Sequence, residues 1–183
     1  MTKFRHTFAA TLEAERDKLT SLSLELFSQL YEELCAVDKR RAFYNEKSAA
    51  IAAAHPVCQR LETIPGIGPL TATALAAAVS DATQFKNGRQ FAAWLGLVPR
   101  HHSTGGKARL LGSSKRGDVY LRTLLVHGAR ATLRWIGLKT DRRSKWVRDL
   151  MARRGKNKAA VALATKNARI AWVLLNGNET YMA

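Results

Sequence analysis

Leu61-Glu62-Thr63-Ile64-Pro65-Gly66-Ile67-Gly68-Pro69-Leu70-Thr71-Ala72-Thr73-Ala74-Leu75 is the stretch from which the rest of the chain can be read. A hydrophobic-x-Gly-hydrophobic-Gly run leading into an Ala-rich segment has the form of a helix-hairpin-helix element, expected at about residues 61–79. In such an element Gly66 and Gly68 bare the backbone, and the first N–H groups of the second helix face a DNA phosphate. The competing reading is a tight turn between two packed helices with no ligand. It gains weight because no Lys or Arg lies between Thr63 and Asp81 to draw in a polyanion.

On the N-terminal side, Leu12, Leu19, Leu22, Leu26, Leu30, Leu34 and Val37 recur at three- and four-residue steps or, from Leu12 to Leu19, their sum, the spacing of one helix face. No Gly or Pro interrupts the run from Thr11 to Ala54. Two arrangements fit: a helical hairpin turning near Asp38 to Phe43, or one long helix that pairs with another chain as a coiled coil. Pro56 ends the run, since the residue before a proline is driven out of the α region. Residues 1–55 are therefore expected as a coiled-coil-like helical extension, and 56–183 as a compact basic domain.

On the C-terminal side, Arg89 to Leu95 predicts a short helix that places Phe91, Trp94 and Leu95 in the core, and Gly96 ends it. The segment 99–117 holds Pro99, Gly105, Gly106, Gly112 and Gly117 and lacks a helical period, which predicts an ordered loop or small hairpin. Asp118 is a plausible N-cap for a helix through Arg134, with Arg122, Arg130 and Arg134 near one face. Asp141 to Arg154 and Asn157 to Leu175 read as two more helices separated by Gly155. The last should turn Val161, Leu163, Ala164, Ala168, Ala171 and Trp172 inward, and Lys158, Lys166 and Arg169 outward. Strand signals are few, so the expected fold class is all-α, with basic helices over 118–175.

Charge is distributed unevenly along this frame. Residues 1–85 carry 9 basic and 10 acidic side chains, and residues 86–183 carry 21 basic and 4 acidic, a net of +17 in the second half. That field attracts polyanions and makes binding steeply dependent on salt; it excludes a neutral helical scaffold. Within it, Ser103-Thr104-Gly105-Gly106-Lys107 and Gly112-Ser113-Ser114-Lys115-Arg116-Gly117 are two glycine-rich, hydroxyl-bearing basic turns. Glycines let backbone N–H groups approach an anion, cations neutralise it, and a hydroxyl can donate to phosphate or attack phosphorus. The competing reading of Ser103 is a turn hydroxyl bonding its own backbone. Cys35 and Cys58 lie 23 residues apart without a C-x-x-C or paired His, against a zinc site or disulfide. No apolar leader or membrane-length apolar run is visible, which predicts a cytoplasmic, bacterial setting without a membrane partner.

The string from Leu61 to Arg134, with Asn157-Lys158-Ala159-Ala160-Val161-Ala162-Leu163-Ala164 and Asn167-Ala168-Arg169-Ile170-Ala171-Trp172, resembles the C-terminal transposase domain of the insertion-sequence one-hundred-ten family, bacterial DNA recombinases guided by a bridge RNA. Ile64-Pro65-Gly66-Ile67-Gly68, Gly96-Leu97-Val98-Pro99-Arg100, Ser103-Thr104-Gly105-Gly106-Lys107 and Ser114-Lys115-Arg116-Gly117-Asp118 occur in order. The resemblance implies a serine nucleophile at Ser103, with Thr104 as its rival one residue on. Arg100 and Lys107 would stabilise charge on the phosphoryl oxygens, and His101 or His102 would be candidate bases. Gly66, Gly68, Arg100, Gly105, Gly106, Lys107, Lys115, Arg116 and Arg122 would hold nucleic acid, the partners being DNA and guide RNA, with a homo-oligomer through the coiled coil. The family's other half is an N-terminal domain with four metal-binding acidic residues, which these 183 residues do not contain. The resemblance thus implies the back half of a transposase, from a truncated, frameshifted or domesticated element, with the acidic domain supplied in trans. No metal site is expected in this chain, and Mg²⁺ only with that acidic domain; the alternative is a non-catalytic DNA- or RNA-binding remnant.

Overall fold

A computed structural model describes the backbone of residues 2–104, 107–177 and 179–182 and the side chains of 7–100, 111–177 and 179–182. Among them are eight α-helices and one two-stranded hairpin. The predominantly helical class read from the sequence holds. The chain divides into two compact units, residues 1–46 and 47–183.

In the first unit α1 (Thr2–Ala14) is followed by a short 3-10 turn at Arg16–Lys18 and by the start of α2 (Ser21–Ala54). Of the two arrangements, the reversal near Asp38 to Phe43 is absent; the interruption lies at residues 15–20, and α2 runs unbroken to Ala54 as one long helix. Local chemistry accounts for both. Thr20 Oγ1 accepts the Ser23 backbone N–H at 3.2 Å, the bond that starts a helix by satisfying one of its orphan donors. At 38–43 no residue breaks a helix, and Arg41 pairs with Asp38 one turn back at 3.5 Å, a spacing that supports helix. Phe8 stacks on Tyr31 with ring centroids 5.3 Å apart. Leu22, Leu26, Leu30, Val37, Tyr44 and Ile51 all stand exposed along α2.

The second unit is built around α8 (Lys156–Asn176). Ala159, Ala160, Leu163, Ala164, Ala168, Ala171 and Leu174 line its buried face, and so many methyl side chains let neighbouring helices approach closely. Against it pack α3 (Pro56–Glu62), α5 (Gly88–Trp94), α6 (Val119–Leu133) and α7 (Arg142–Arg154), while α4 (Pro69–Ala78) bridges α3 and α6. Proline and short polar side chains open these helices. Pro56 opens α3, Asn87 Oδ1 accepts from the N–H groups of Arg89 and Gln90, Asp118 from Leu121, and Asp141 from Ser144. Trp94 departs from expectation. It is 38% exposed rather than buried, its ring lying 5.8 Å from Phe91 and 5.4 Å from Phe85 at the surface edge of that cluster. Val161 is half-buried on α8, one position off the alanine face.

Between α5 and α6 the chain forms an antiparallel hairpin of β1 (Pro99–Thr104) and β2 (Lys107–Ser113). Thr104 pairs with Lys107, Ser103 with Ala108 and His101 with Leu110, whereas Pro99 pairs with Ser113. The register therefore gains one residue in β2 near the hairpin root, a bulge beside a proline that has no N–H for the ladder.

Candidate nucleic-acid interface

The turn at Pro65-Gly66 is clamped from beneath. Gly66 has φ +98°, and a Cβ there would come within 2.8 Å of the Gly128 carbonyl oxygen on α6; a Cβ at Gly128 would collide with the Gly66 carbonyl oxygen. Two backbones thus meet at paired glycines, a contact that only the absence of both side chains permits. The Pro65 carbonyl accepts from Asn167 Nδ2 and from an Arg143 guanidinium nitrogen, both at 3.1 Å, and the same guanidinium nitrogen donates to Asn167 Oδ1 at 2.6 Å. Asn167 and Arg143 are buried, and Tyr181 lies over the guanidinium at 5.7 Å. Gly66 faces its own domain, therefore, while Gly68 opens α4 with free space around its Cα.

A second clamp roots the hairpin. Gly96 (φ +69°) and Gly117 (φ +140°) lie backbone to backbone, and an added Cβ on Gly117 would collide with the Trp94 carbonyl. Ser113 Oγ donates to the Gly96 carbonyl at 2.6 Å, the Lys115 N–H reaches the same oxygen at 3.2 Å, and the Ser114 N–H donates to the Val98 carbonyl at 2.8 Å. Arg122 turns one guanidinium nitrogen onto the Leu95 carbonyl at 3.3 Å, so this residue is half structural. Lys115 adopts φ +54°, in the left-handed region, where a side-chain-bearing residue is disfavoured. Strain of this kind is held where the surroundings fix it. Lys115, Arg116 and Arg100 are exposed. Ser103, Thr104 and Lys107 belong to the strands next to Gly105 and Gly106; their side chains, and both glycines entirely, lie outside the described residues, as do the side chains of His101 and His102.

Two recesses adjoin the hairpin root, and a third lies between α6, α7 and the start of α8. One, of about 890 Å³, is an apolar groove lined by Leu97, Pro99, Trp146, Val161, Ile170 and Val173, with the Lys166 ammonium 4.8 Å over the Trp146 ring. A second, about 270 Å³, lies between hairpin root and α6 and collects Ser113, Lys115, Arg122, Thr123, His127 and Arg130. The third, about 280 Å³, is bounded by Arg130, Leu133, Arg134, Met151, Lys156 and Asn157. Sequence reasoning placed Arg130 and Arg134 near one helix face but assigned them nothing, and passed over His127 and Lys156. The four-residue steps from Arg122 through Val126 to Arg130 and Arg134 were the available signal.

The few carboxylates of this half do not offset its cations. Asp118 and Asp141 serve as helix N-caps, and hydrogen bonds from Ser144, first its hydroxyl and then its backbone N–H, hold the Asp141 carboxyl below the usual range. Among the described residues no three His, Cys, Asp or Glu side chains gather into a metal seat. Burial, with a smaller contribution from the Glu62 charge, pushes the Cys58 thiol up, which makes it a poor nucleophile. No described helix is long and apolar enough to cross a membrane.

These features define a helical domain with a strand hairpin rooted on a cationic, carboxylate-poor flank. Residues 58–149 match the model of the Transposase IS116/IS110/IS902 family, and the chain belongs to that family. It is 49% identical over 179 residues to the "Transposase for insertion sequence element IS1111A" of Coxiella burnetii, across 98% of this chain and 49% of that protein. It is 54% identical over 157 residues to the "Probable family 20 transposase" of Pseudomonas aeruginosa, across 86% of this chain and 46% of that protein. The chain thus spans about half the length of these relatives.

Proposed function

We propose that this chain is the DNA-handling C-terminal part of a transposase, with Ser103 as the nucleophile of strand cleavage and exchange. The observation that carries the reading is the hairpin bearing Ser103, rooted by the Gly96 and Gly117 contact beside exposed Lys115 and Arg116 on the cationic half of a transposase-family chain. Ser103 Oγ would bond to phosphorus as one bridging P–O bond breaks. The serine proton passes to a base, for which His101 and His102 of the same strand are the candidates, and the departing deoxyribose oxygen takes up a proton. The phosphoserine link keeps the bond energy for rejoining, so no external energy source is needed. Arg100 and Lys107 neutralise the phosphoryl oxygens, while Lys115, Arg116 and the partly structural Arg122 hold the adjoining backbone.

The described residues do not fit a resident metal ion, and no step here runs through one; Mg²⁺ would enter with an acidic domain supplied in trans. Guide RNA is the second polyanion suited to the same surface, and the Gly68 end of α4, in a helix-hairpin-helix role, would offer its N–H groups to a phosphate. Homo-oligomers would form through the exposed apolar stripe of α2. The test combines this chain with a related acidic domain, guide RNA, target DNA and Mg²⁺. A denaturant-resistant protein–DNA adduct is expected, abolished by Ser103→Ala with salt-sensitive DNA binding preserved. Loss in Thr104→Ala alone would move the nucleophile by one residue, and no adduct with any partner would leave a non-catalytic binding protein.

A further inference from the structure

Arg130 belongs to two recesses at once. It closes the one that begins at the hairpin root, with Lys115, Arg122 and His127, and opens the one that ends at the start of α8, with Arg134 and Lys156. A hydrogen bond of 3.4 Å to Asn157 Oδ1 ties it to the junction between α6 and α8. The two recesses therefore lie side by side along α6 and meet at Arg130. Their cations are exposed or half-buried, and among the described residues none has a carboxylate partner.

We propose that the two recesses form a track for one phosphodiester strand, carrying nucleic acid away from the hairpin along α6 to the first turn of α8. At a rise of 1.5 Å per residue, Arg122 and Arg130 stand about 12 Å apart along the helix, and Arg130 and Arg134 about 6 Å. The whole run of about 18 Å is long enough to meet several successive phosphates of one strand. The floor suits a sugar-phosphate chain: Val126, Leu133 and Met151 supply apolar surface for deoxyribose or ribose, and Thr123, His127 and Asn157 supply hydrogen-bonding groups. The larger groove beside Trp146 also carries Lys158, Lys166 and Arg169, but its walls are mostly apolar and Arg130 does not border it; it is not part of the track. Cations that meet the phosphates position a strand irrespective of its sequence.

This inference rests on the reading of the chain as a nucleic-acid protein and extends it to five residues, His127, Arg130, Arg134, Lys156 and Asn157, outside the hairpin. The experiment compares two triple variants of the full chain that remove equal charge from exposed positions: Arg130→Ala, Arg134→Ala, Lys156→Ala on the track, and Lys139→Ala, Arg142→Ala, Lys145→Ala off it. Binding to a 20-base-pair DNA duplex and to an RNA hairpin of equal charge is followed across a salt series, with circular dichroism and thermal melts confirming that both variants fold. Losing three phosphate contacts should flatten the plot of log K against log salt by about 2 to 3 for duplex DNA. The off-track variant should change it by less than about 1. A change confined to one polymer identifies the strand the track carries. Equal effects of the two variants on both polymers would overturn the track while leaving nucleic-acid binding intact, and failure of the unaltered chain to bind either polymer would remove both readings.

Discussion

Lys115 sets function against conformation at a single residue. Its φ of +54° disfavours a β-carbon by about 1 kcal/mol, and its ammonium stands exposed at the hairpin root. Lys115→Gly should therefore leave the melting temperature unchanged or raise it by a few degrees, since glycine enters that region freely, while DNA affinity falls. Thermal melts and filter binding on the same preparation check it; a drop in stability would mean that the lysine stem packs. Asn167 is the opposite case, wholly a matter of the fold. Asn167→Ala leaves the Pro65 carbonyl short of a donor and the Arg143 guanidinium short of an acceptor, at a cost of about 3 kcal/mol. For a chain of this size that is roughly 10 °C in melting temperature. Adding Arg143→Met should cost little more, because the two side chains form one network.

At the scale of elements, α2 and α7 give the clearest expectations. If the exposed stripe of Leu22, Leu26, Leu30, Val37, Tyr44 and Ile51 pairs between chains, Leu26→Asp with Leu30→Asp converts an oligomer into a soluble monomer, which light scattering reads directly. An unaltered protein that is already monomeric at high micromolar concentration would sink that assembly. The α7 cap responds to acid. Because the folded Asp141 carboxyl titrates below its unfolded value, its stabilising effect is complete above about pH 4 and disappears as pH falls through the lowered folded value. The melting-temperature gap between the unaltered protein and Asp141→Ala should be widest near neutrality and close in strong acid; a gap that persists there would assign the cap to something other than charge.

For the molecule as a whole, cationic excess confined to residues 86–183 predicts binding to duplex DNA and structured RNA that weakens by orders of magnitude from low to moderate salt. A flat response would count against every nucleic-acid reading above. The sequence carried the helices of this half well. Asp118 and Asp141 each announce a helix start by a carboxylate with one obvious job. It did not carry the break at 15–20, where Thr20 caps a helix with no glycine or proline nearby, nor the burial of Arg143, which reads as one more surface cation until Asn167 is brought alongside it. Gly66 was legible as a glycine required by geometry, but not as one that meets Gly128, because that partner lies 62 residues away. The cationic recesses were hidden for the same reason: Arg130 and Lys156 become neighbours only when α6 packs on α8.

The capping carboxylate of Asp118 has a bearing on how such a surface can be tuned. Its oxygen accepts one backbone N–H, and asparagine performs that service about as well. Helix start and counter-charge are therefore separable properties of one position. Drift from Asp to Asn there would leave α6 in place and make the flank one unit more positive, so selection can strengthen or relax the grip on a polyanion in single-nucleotide steps, without reopening the question of how the domain folds.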